Sequence, residues 1–258
     1  MQNTSAVYKR LLAGAHRVET RVAIGEVGVL INERGASITF GGTRILTARS
    51  GADGGYDEGI LMNVATSCRV FSNDKPEVGC CVSGELELKM LKPAGEIPRM
   101  AQVVPYVRLA DDTEHSEWIQ RGVFYIDTRE SENNAMVETL TLHGFDAMMK
   151  SEQDYSGAAL AWPNTDVNVV RDIARLMGVQ VEAETISKLN KRYTVQLPVN
   201  YTQREVLGYV AAMYAGCFIM SNLGELKLVQ LNGVPRETRY LVDNVGYAIT
   251  FGGTRIRV

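Results

Sequence analysis

Several stretches of this chain hold residues of the types that do chemistry. Asp111-Asp-Thr-Glu-His115 places carboxylates beside an imidazole, the raw material of an acid–base or metal site. It sits in a polar run just ahead of Ser116-Glu-Trp118 and reads as a solvated loop between strands. Gly51-Ala-Asp-Gly-Gly-Tyr-Asp-Glu-Gly59 mixes carboxylates with glycines, as a calcium loop does. It lacks the D-x-D-x-D-G register and the closing glutamate, so a hairpin tip is expected. Phe40-Gly-Gly-Thr-Arg44 is not the G-x-x-x-x-G-K-[ST] phosphate cradle. A glycine turn or bulge that re-aims a strand fits it better. The four cysteines, Cys68, Cys80, Cys81 and Cys217, form no C-x-x-C pair, and only three histidines accompany them. A zinc site needs paired ligands at short spacing. Cys80 and Cys81, adjacent in an apparent strand, should point to opposite faces. All four read as small buried hydrophobes in a reducing compartment. No G-x-S-x-G elbow or H-E-x-x-H helix occurs. The expectation is therefore no catalytic, cofactor-binding or metal-ligating residues, no cofactor, and no enzyme.

The elements that would carry such residues fall into two kinds. Residues 5–16 form a short helix, capped by Thr4 or Ser5, with Tyr8, Leu11 and Leu12 on one side and Gly14 near its end. From about 18 to 145 the pattern is strands: Val22-Ala-Ile24, Val27-Gly-Val-Leu-Ile31, Ser37-Ile-Thr-Phe40, Gly122-Val-Phe-Tyr-Ile126 and Val137-Glu-Thr-Leu-Thr-Leu142. Glu85-Leu-Glu-Leu-Lys-Met90 alternates charged and apolar residues strictly, which predicts one wet and one dry face. Val103-Val-Pro-Tyr-Val-Arg-Leu109 is a further strand, in which Pro105 requires an edge or a bulge. Strands at this spacing, with no long helix between them, predict a small antiparallel barrel or sandwich.

The middle of the chain changes character. Trp162-Pro163-Asn164-Thr165 stops the chain and opens a helix over 166–177. Its apolar residues Val167, Val170, Ile173, Ala174 and Met177 step by three and four until Gly178. Tyr193-Thr-Val-Gln-Leu-Pro198 reads as a strand. Thr202-Gln-Arg-Glu205 is a capping box that opens a second helix, roughly 203–215. Cys217-Phe-Ile-Met220 and Glu225-Leu-Lys-Leu-Val229, joined by Ser221-Asn-Leu-Gly224, form a hairpin. The predicted fold class is α+β: an N-terminal antiparallel β-barrel, a small mixed α/β domain, and the start of a second barrel. The predicted divisions are an arm over 1–17, the barrel over 18–155, the α/β domain over 156–231, and a connector with a first repeated strand over 232–258.

That last division rests on a repeat. Gly35-Ala-Ser-Ile-Thr-Phe-Gly-Gly-Thr-Arg-Ile45 returns as Gly246-Tyr-Ala-Ile-Thr-Phe-Gly-Gly-Thr-Arg-Ile256, the last eight residues being identical. Leu30 matches Leu241 in the same register. Internal similarity of this length means that one structural unit is used twice or begins to be. The candidate structural positions are Phe40, Gly41, Gly42, Thr43 and Arg44, with their counterparts Phe251, Gly252, Gly253, Thr254 and Arg255.

Bulk composition narrows the function classes. The chain has 258 residues, enough for about two domains. Hydrophobic residues make up 45% and charged residues 22%, so it should bury real cores. A net charge of −3 without a basic block gives no electrostatic case for gripping nucleic acid. No run approaches the ~18 apolar residues of a membrane span, and the N-terminus has no apolar signal core.

An ordered series of motifs then points to a family. Gly95-Glu-Ile-Pro-Arg-Met-Ala101 is followed by Ser116-Glu-Trp-Ile and Arg121-Gly-Val-Phe-Tyr-Ile-Asp127. Next come Leu142-His-Gly-Phe-Asp-Ala-Met-Met-Lys150, Trp162-Pro163 and Thr202-Gln-Arg-Glu-Val-Leu-Gly-Tyr-Val-Ala-Ala212. Over roughly 18–231 the chain resembles the tail hub (tail-tip, baseplate hub-like) proteins of bacteriophages and prophages. Those are related to the late control protein D group and to the N-terminal region of type VI secretion spikes. The resemblance implies a trimer of chains carrying two similar barrels each, a pseudo-sixfold ring joining the sixfold tail tube to the threefold tip. It implies as partners other copies of the chain, the tail tube or distal tail protein, the tape-measure protein and the distal tip or spike. DNA would pass without specific binding, and a mildly acidic lumen would suit that. The place implied is the virion tail, assembled in the bacterial cytoplasm. The sequence departs from the pattern by ending soon after the second phrase opens. About fifteen residues are too few for a barrel. The chain is then either a fragment or one whose last segment adds a strand to an existing sheet. Two other expectations stand beside the hub: the N-terminal part of a tail-associated cell-wall hydrolase with its catalytic domain further on, and a receptor- or carbohydrate-binding module. Trp118 and Trp162 lie beside strand or helix starts and read as structural.

Overall fold

In the computed structural model the residues described are 4–25, 27–29, 39–40, 43–44, 46–48, 55–73, 75–93, 97–134, 137–190, 192–231, 250–251 and 254–255. The first half runs α1 (Ala6–Ala13), β1 (Arg17–Gly25), β2 (Val27–Val29), β3 (Thr39–Phe40), β4 (Thr43–Arg44), β5 (Leu46–Ala48), β6 (Leu61–Ser67), β7 (Glu85–Leu91), β8 (Gln102–Ala110), β9 (Ile119–Gln120), β10 (Phe124–Asn134) and β11 (Val137–Asp146). A 3₁₀ turn follows at Ala147–Glu152, then β12 (Asn164–Thr165), α2 (Asp166–Met177), α3 (Ala183–Lys188), β13 (Thr194–Val195), α4 (Gln203–Met213), β14 (Gly216–Met220), β15 (Leu226–Gln230), β16 (Thr250–Phe251) and β17 (Thr254–Arg255).

The expected strand-rich N-terminal part is a large antiparallel sheet, ordered β1-β8-β10-β11-β7-β6 with β9 on β8. The alternation read at 85–90 holds: Leu86, Leu88 and Met90 are buried while Glu85 and Glu87 face solvent. With Val22, Val103, Phe124, Ile126 and Leu142 they form one apolar cluster on a single face of the sheet. Among the described residues no continuous ladder runs from β6 back to β1. One antiparallel bridge joins these ends instead: Val22 and Tyr56 exchange N–H···O bonds of 2.8 Å each, and Tyr56 lies just ahead of β6. The sheet therefore curls until its first strand touches the chain entering its last.

Pro105 shows how the strand tolerates a missing donor. It pairs with Val22, whose own N–H and C=O are turned away to Tyr56. The proline nitrogen thus faces the other side, between the β10 pairing at Val103 and the β9 pairing at Tyr106. There its carbonyl accepts from Arg121 N–H at 2.8 Å, and no ladder bond is broken.

A second apolar cluster gathers α2, α4, β14, β15 and the 3₁₀ turn, with Val170, Ile173, Leu207, Phe218 and Leu228 at its centre. The capping box is formed: Thr202 accepts from the Glu205 amide, and Glu205 from the Thr202 amide. Gly178 ends α2 in the left-handed region at φ 74°. Several elements differ from expectation. The Tyr193–Pro198 strand is reduced to β13. β6, α3 and the 3₁₀ turn, unread in the sequence, are present. Cys80, Cys81 and Cys217 are buried as expected, but Cys68 is exposed: it follows β6, after its last residue paired to β7.

The connection between the clusters is tight. The strand-like run 79–81 leaves the large sheet and docks on β14, where Phe218 N–H donates to Cys80 O at 3.0 Å and Gly79 N–H to Gly216 O at 2.8 Å. Cys81 thereby joins the second cluster, and burial pushes its thiol up to about 12. Gly79, at φ +83°, presses its carbonyl so close to Gly208 of α4 that a Cβ on Gly208 would sit 2.7 Å from it.

Candidate assembly surfaces

The two copies of the repeated phrase adopt one strand pairing. In the first, Thr39 pairs with Arg44 and Phe40 with Thr43. In the second, Thr250 pairs with Arg255 and Phe251 with Thr254. Each is a pair of two-residue antiparallel strands either side of a Gly-Gly step, the sequence type suited to a two-residue hairpin turn. Gly41, Gly42, Gly252 and Gly253 themselves lie outside the described residues. On either side of the first copy in the chain, β2 pairs with β5. Among the described residues the second copy pairs only with itself.

The acidic stretch that could have been an acid–base site is a fastener. Asp111 accepts from the Thr113 and Glu114 amides and the Thr113 hydroxyl, which folds the loop after β8 and holds its carboxyl below the usual range. Glu114 is bonded bidentately to Arg10 of α1. Glu117 accepts from the N-cap residue Ser5, through its amide at 2.7 Å and its hydroxyl, and these bonds depress its pKa. Ser5 in turn caps α1 by accepting from Tyr8 N–H at 3.0 Å. Two acidic side chains, Glu114 and Glu117, thus clip the N-terminal helix to the sheet edge, and Asp111 shapes the loop that carries them. Beside them Glu19 lies between Arg17 and Arg108, whose hydrogen bonds lower its pKa, and Arg108 stacks 4.4 Å over Trp118. His115 is exposed in this loop and forms a backbone bridge with Ala110. Trp162 donates to Gly157 O and meets Tyr155 edge-on. Neither tryptophan offers a bare platform.

A different polar group locks the sheet to the α/β part. Asp146, at the end of β11, is buried. Its two oxygens accept from Gly84 N–H at 2.6 Å and Met148 N–H at 2.9 Å. Burial raises its pKa to about 6, while those amides and Arg204 act against the rise. Arg204 of α4 spans the same junction, donating to Ser83, Met148 O and Ser151 and pairing with Glu152 at 3.0 Å. The sequence hid this lock, because Asp146 and Arg204 lie far apart in the chain; the motifs Gly144-Phe-Asp146 and Thr202-Gln-Arg204 contained both members.

Exposed strand edges and apolar side chains mark where other chains could join. Among the described residues β10 pairs with β8 at Phe124 and Tyr125, Ile126 adds backbone bonds to Ala101 and Met100, and Asp127–Asn133 beyond them are exposed. Leu197, Val199, Tyr201, Tyr209 and Met213 are exposed on and before α4, Tyr201 and Tyr209 meeting edge-on at 5.4 Å. No group of three or more metal-ligating side chains gathers among the described residues. No described helix is long and apolar enough to cross a membrane.

No family model matches the chain, and no curated protein matches it in sequence. Solved structures do match in fold. A 43 kDa tail protein of prophage MuSo2 from Shewanella oneidensis is 12% identical, with a TM-score of 0.50, over 88% of this chain and 59% of that one. A tail protein from Neisseria meningitidis MC58 is 10% identical, with a TM-score of 0.42, over 89% of this chain and 55% of that one. A Francisella PdpA-VgrG complex is 10% identical, with a TM-score of 0.42, over 82% of this chain and 31% of that one. The chain therefore has a fold similar to that of a prophage tail protein and spans under two thirds of the length of the chains it matches.

Proposed function

We propose that the chain is a structural component of a phage or phage-like tail, a hub at the distal end. Three copies form a ring between the sixfold tail tube and the threefold tip, and DNA or the tape-measure protein passes through it without specific binding. The role is assembly, not turnover. The observation that carries this reading is the repeated hairpin, formed in one register near both ends of a chain whose fold is similar to a prophage tail protein. A ring of two quasi-equivalent sheets per protomer needs such a unit twice.

In this reading the curled sheet of 18–155 acts as a barrel, with the Val22–Tyr56 bridge as its seam. Residues 1–17 are an arm, 156–231 a peripheral α/β domain, and 232–258 lead into the second sheet. Phe40, Thr43 and Arg44, with Phe251, Thr254 and Arg255, mark equivalent backbone positions in the two sheets. The exposed Tyr201–Tyr209 strip gives copies or neighbouring tail proteins an apolar surface to cover. Immunogold labelling of intact particles tests the placement. Gold at the distal end of the tail supports it; gold on the head, along the tube, or only on unassembled protein overturns it.

A further inference from the structure

Between α2 and a wall that includes Ile186, Asn190 and Arg192 lies a cleft of about 470 Å³. Two guanidiniums line it, Arg171 from α2 and Arg192 from the chain after α3. Their neighbours are neutralised: Arg175 by Asp172, Lys188 by Glu184, Lys227 by Glu182. Arg171 and Arg192 have no ion-pair or hydrogen-bond partner among the described residues, and no acidic side chain lines the cleft. Two like charges facing one concavity leave a local positive field that low-dielectric walls concentrate.

We propose that this cleft binds an acidic peptide segment, with two carboxylates on the arginines and an apolar residue between them. The guanidinium fork matches a carboxylate bidentately, a stronger contact than an ammonium would give. The cleft also presents the half-buried Val167 and Ile186 above the buried Leu189, and these two suit an aliphatic side chain and have no use for a bare oxyanion. Asn168 and Asn190 offer amide donors and acceptors of the kind a peptide backbone engages. Two cations on a chain of net charge −3 make no track for a nucleic-acid backbone.

The probe is a fluorescein-labelled Gly-Glu-Glu-Leu-Glu-Gly peptide titrated with the whole protein and followed by anisotropy. The expected result is saturable binding that weakens with added salt and falls by about tenfold or more in R171Q/R192Q, a loss of ~1.4 kcal/mol. Both side chains are exposed, so the double variant should keep its fold, checked by circular dichroism. If it does not fold, R171Q and R192Q singly should each weaken binding by a smaller factor. Equal binding by a folded variant, equal binding of the glutamine version of the peptide, or no binding at all overturns the proposal. So does displacement by inorganic phosphate at the peptide's own concentration, which would mark a small-oxyanion site.

Discussion

Asp146 should make the junction between the two clusters sensitive to pH in an unusual direction. Its folded pKa of about 6 lies above the ordinary 3.8, chiefly because burial penalises the charged form. Between those values the folded state holds the proton more tightly than the unfolded chain does, so stability falls as pH rises. The contribution is fully present below the ordinary value and is lost as pH rises through the folded one. A rise of about two units corresponds to ~3 kcal/mol. Other carboxylates act oppositely: Glu19, Asp111 and Glu117 are depressed and stabilise at higher pH. The comparison must therefore be wild type against Asp146→Asn. Asparagine cannot accept from both Gly84 and Met148, so the variant should be the less stable one in acid. Its deficit should then narrow by ~2 kcal/mol between about pH 4 and about pH 8. Urea unfolding of both proteins across that range reads the gap directly. A deficit that stays constant, or widens towards alkaline pH, refutes the reasoning.

Three further outcomes follow from the packing. Gly208→Ala drives a methyl into the Gly79 carbonyl, and should cost about 1–3 kcal/mol and raise hydrogen exchange at Phe218, whose amide bonds Cys80. Leu88→Ala empties a fully buried site in the sheet cluster and should cost about 2–5 kcal/mol in urea unfolding. A loss under about 1 kcal/mol would mean that the dry face of the sheet is not sealed. Glu114→Gln with Glu117→Gln removes the charged clips on α1, so amide exchange should quicken across Ala6–Ala13 while β11 is unchanged. Global stability should hardly shift, because solvent-exposed charged contacts of this kind contribute little.

The sequence was most legible where a residue's neighbours in the chain decide its state. The Leu86, Leu88 and Met90 alternation, the Thr202–Glu205 box and the Gly178 stop are local physics, and each stands as read. Less legible were elements whose identity depends on distant partners. β6 carries Met62 and Asn63 outward and shows weak alternation; pairing with β7 makes it a strand. The Asp111–Glu117 loop was rightly taken as a loop, but its clasp on Arg10 and Ser5 spans about a hundred residues that no local pattern encodes. The lock of Asp146 and Arg204 was hidden for the same reason. Within the repeat, local pairing matches between the copies, as their identical residues require. What each copy packs against is a long-range property.

Assembly is the claim from which the proposed role follows. Native mass spectrometry of the protein at high concentration tests it most directly. The account predicts a dominant species of three times the 28.4 kDa chain mass, built from copies that share one interface. A single-chain mass at every concentration would contradict it.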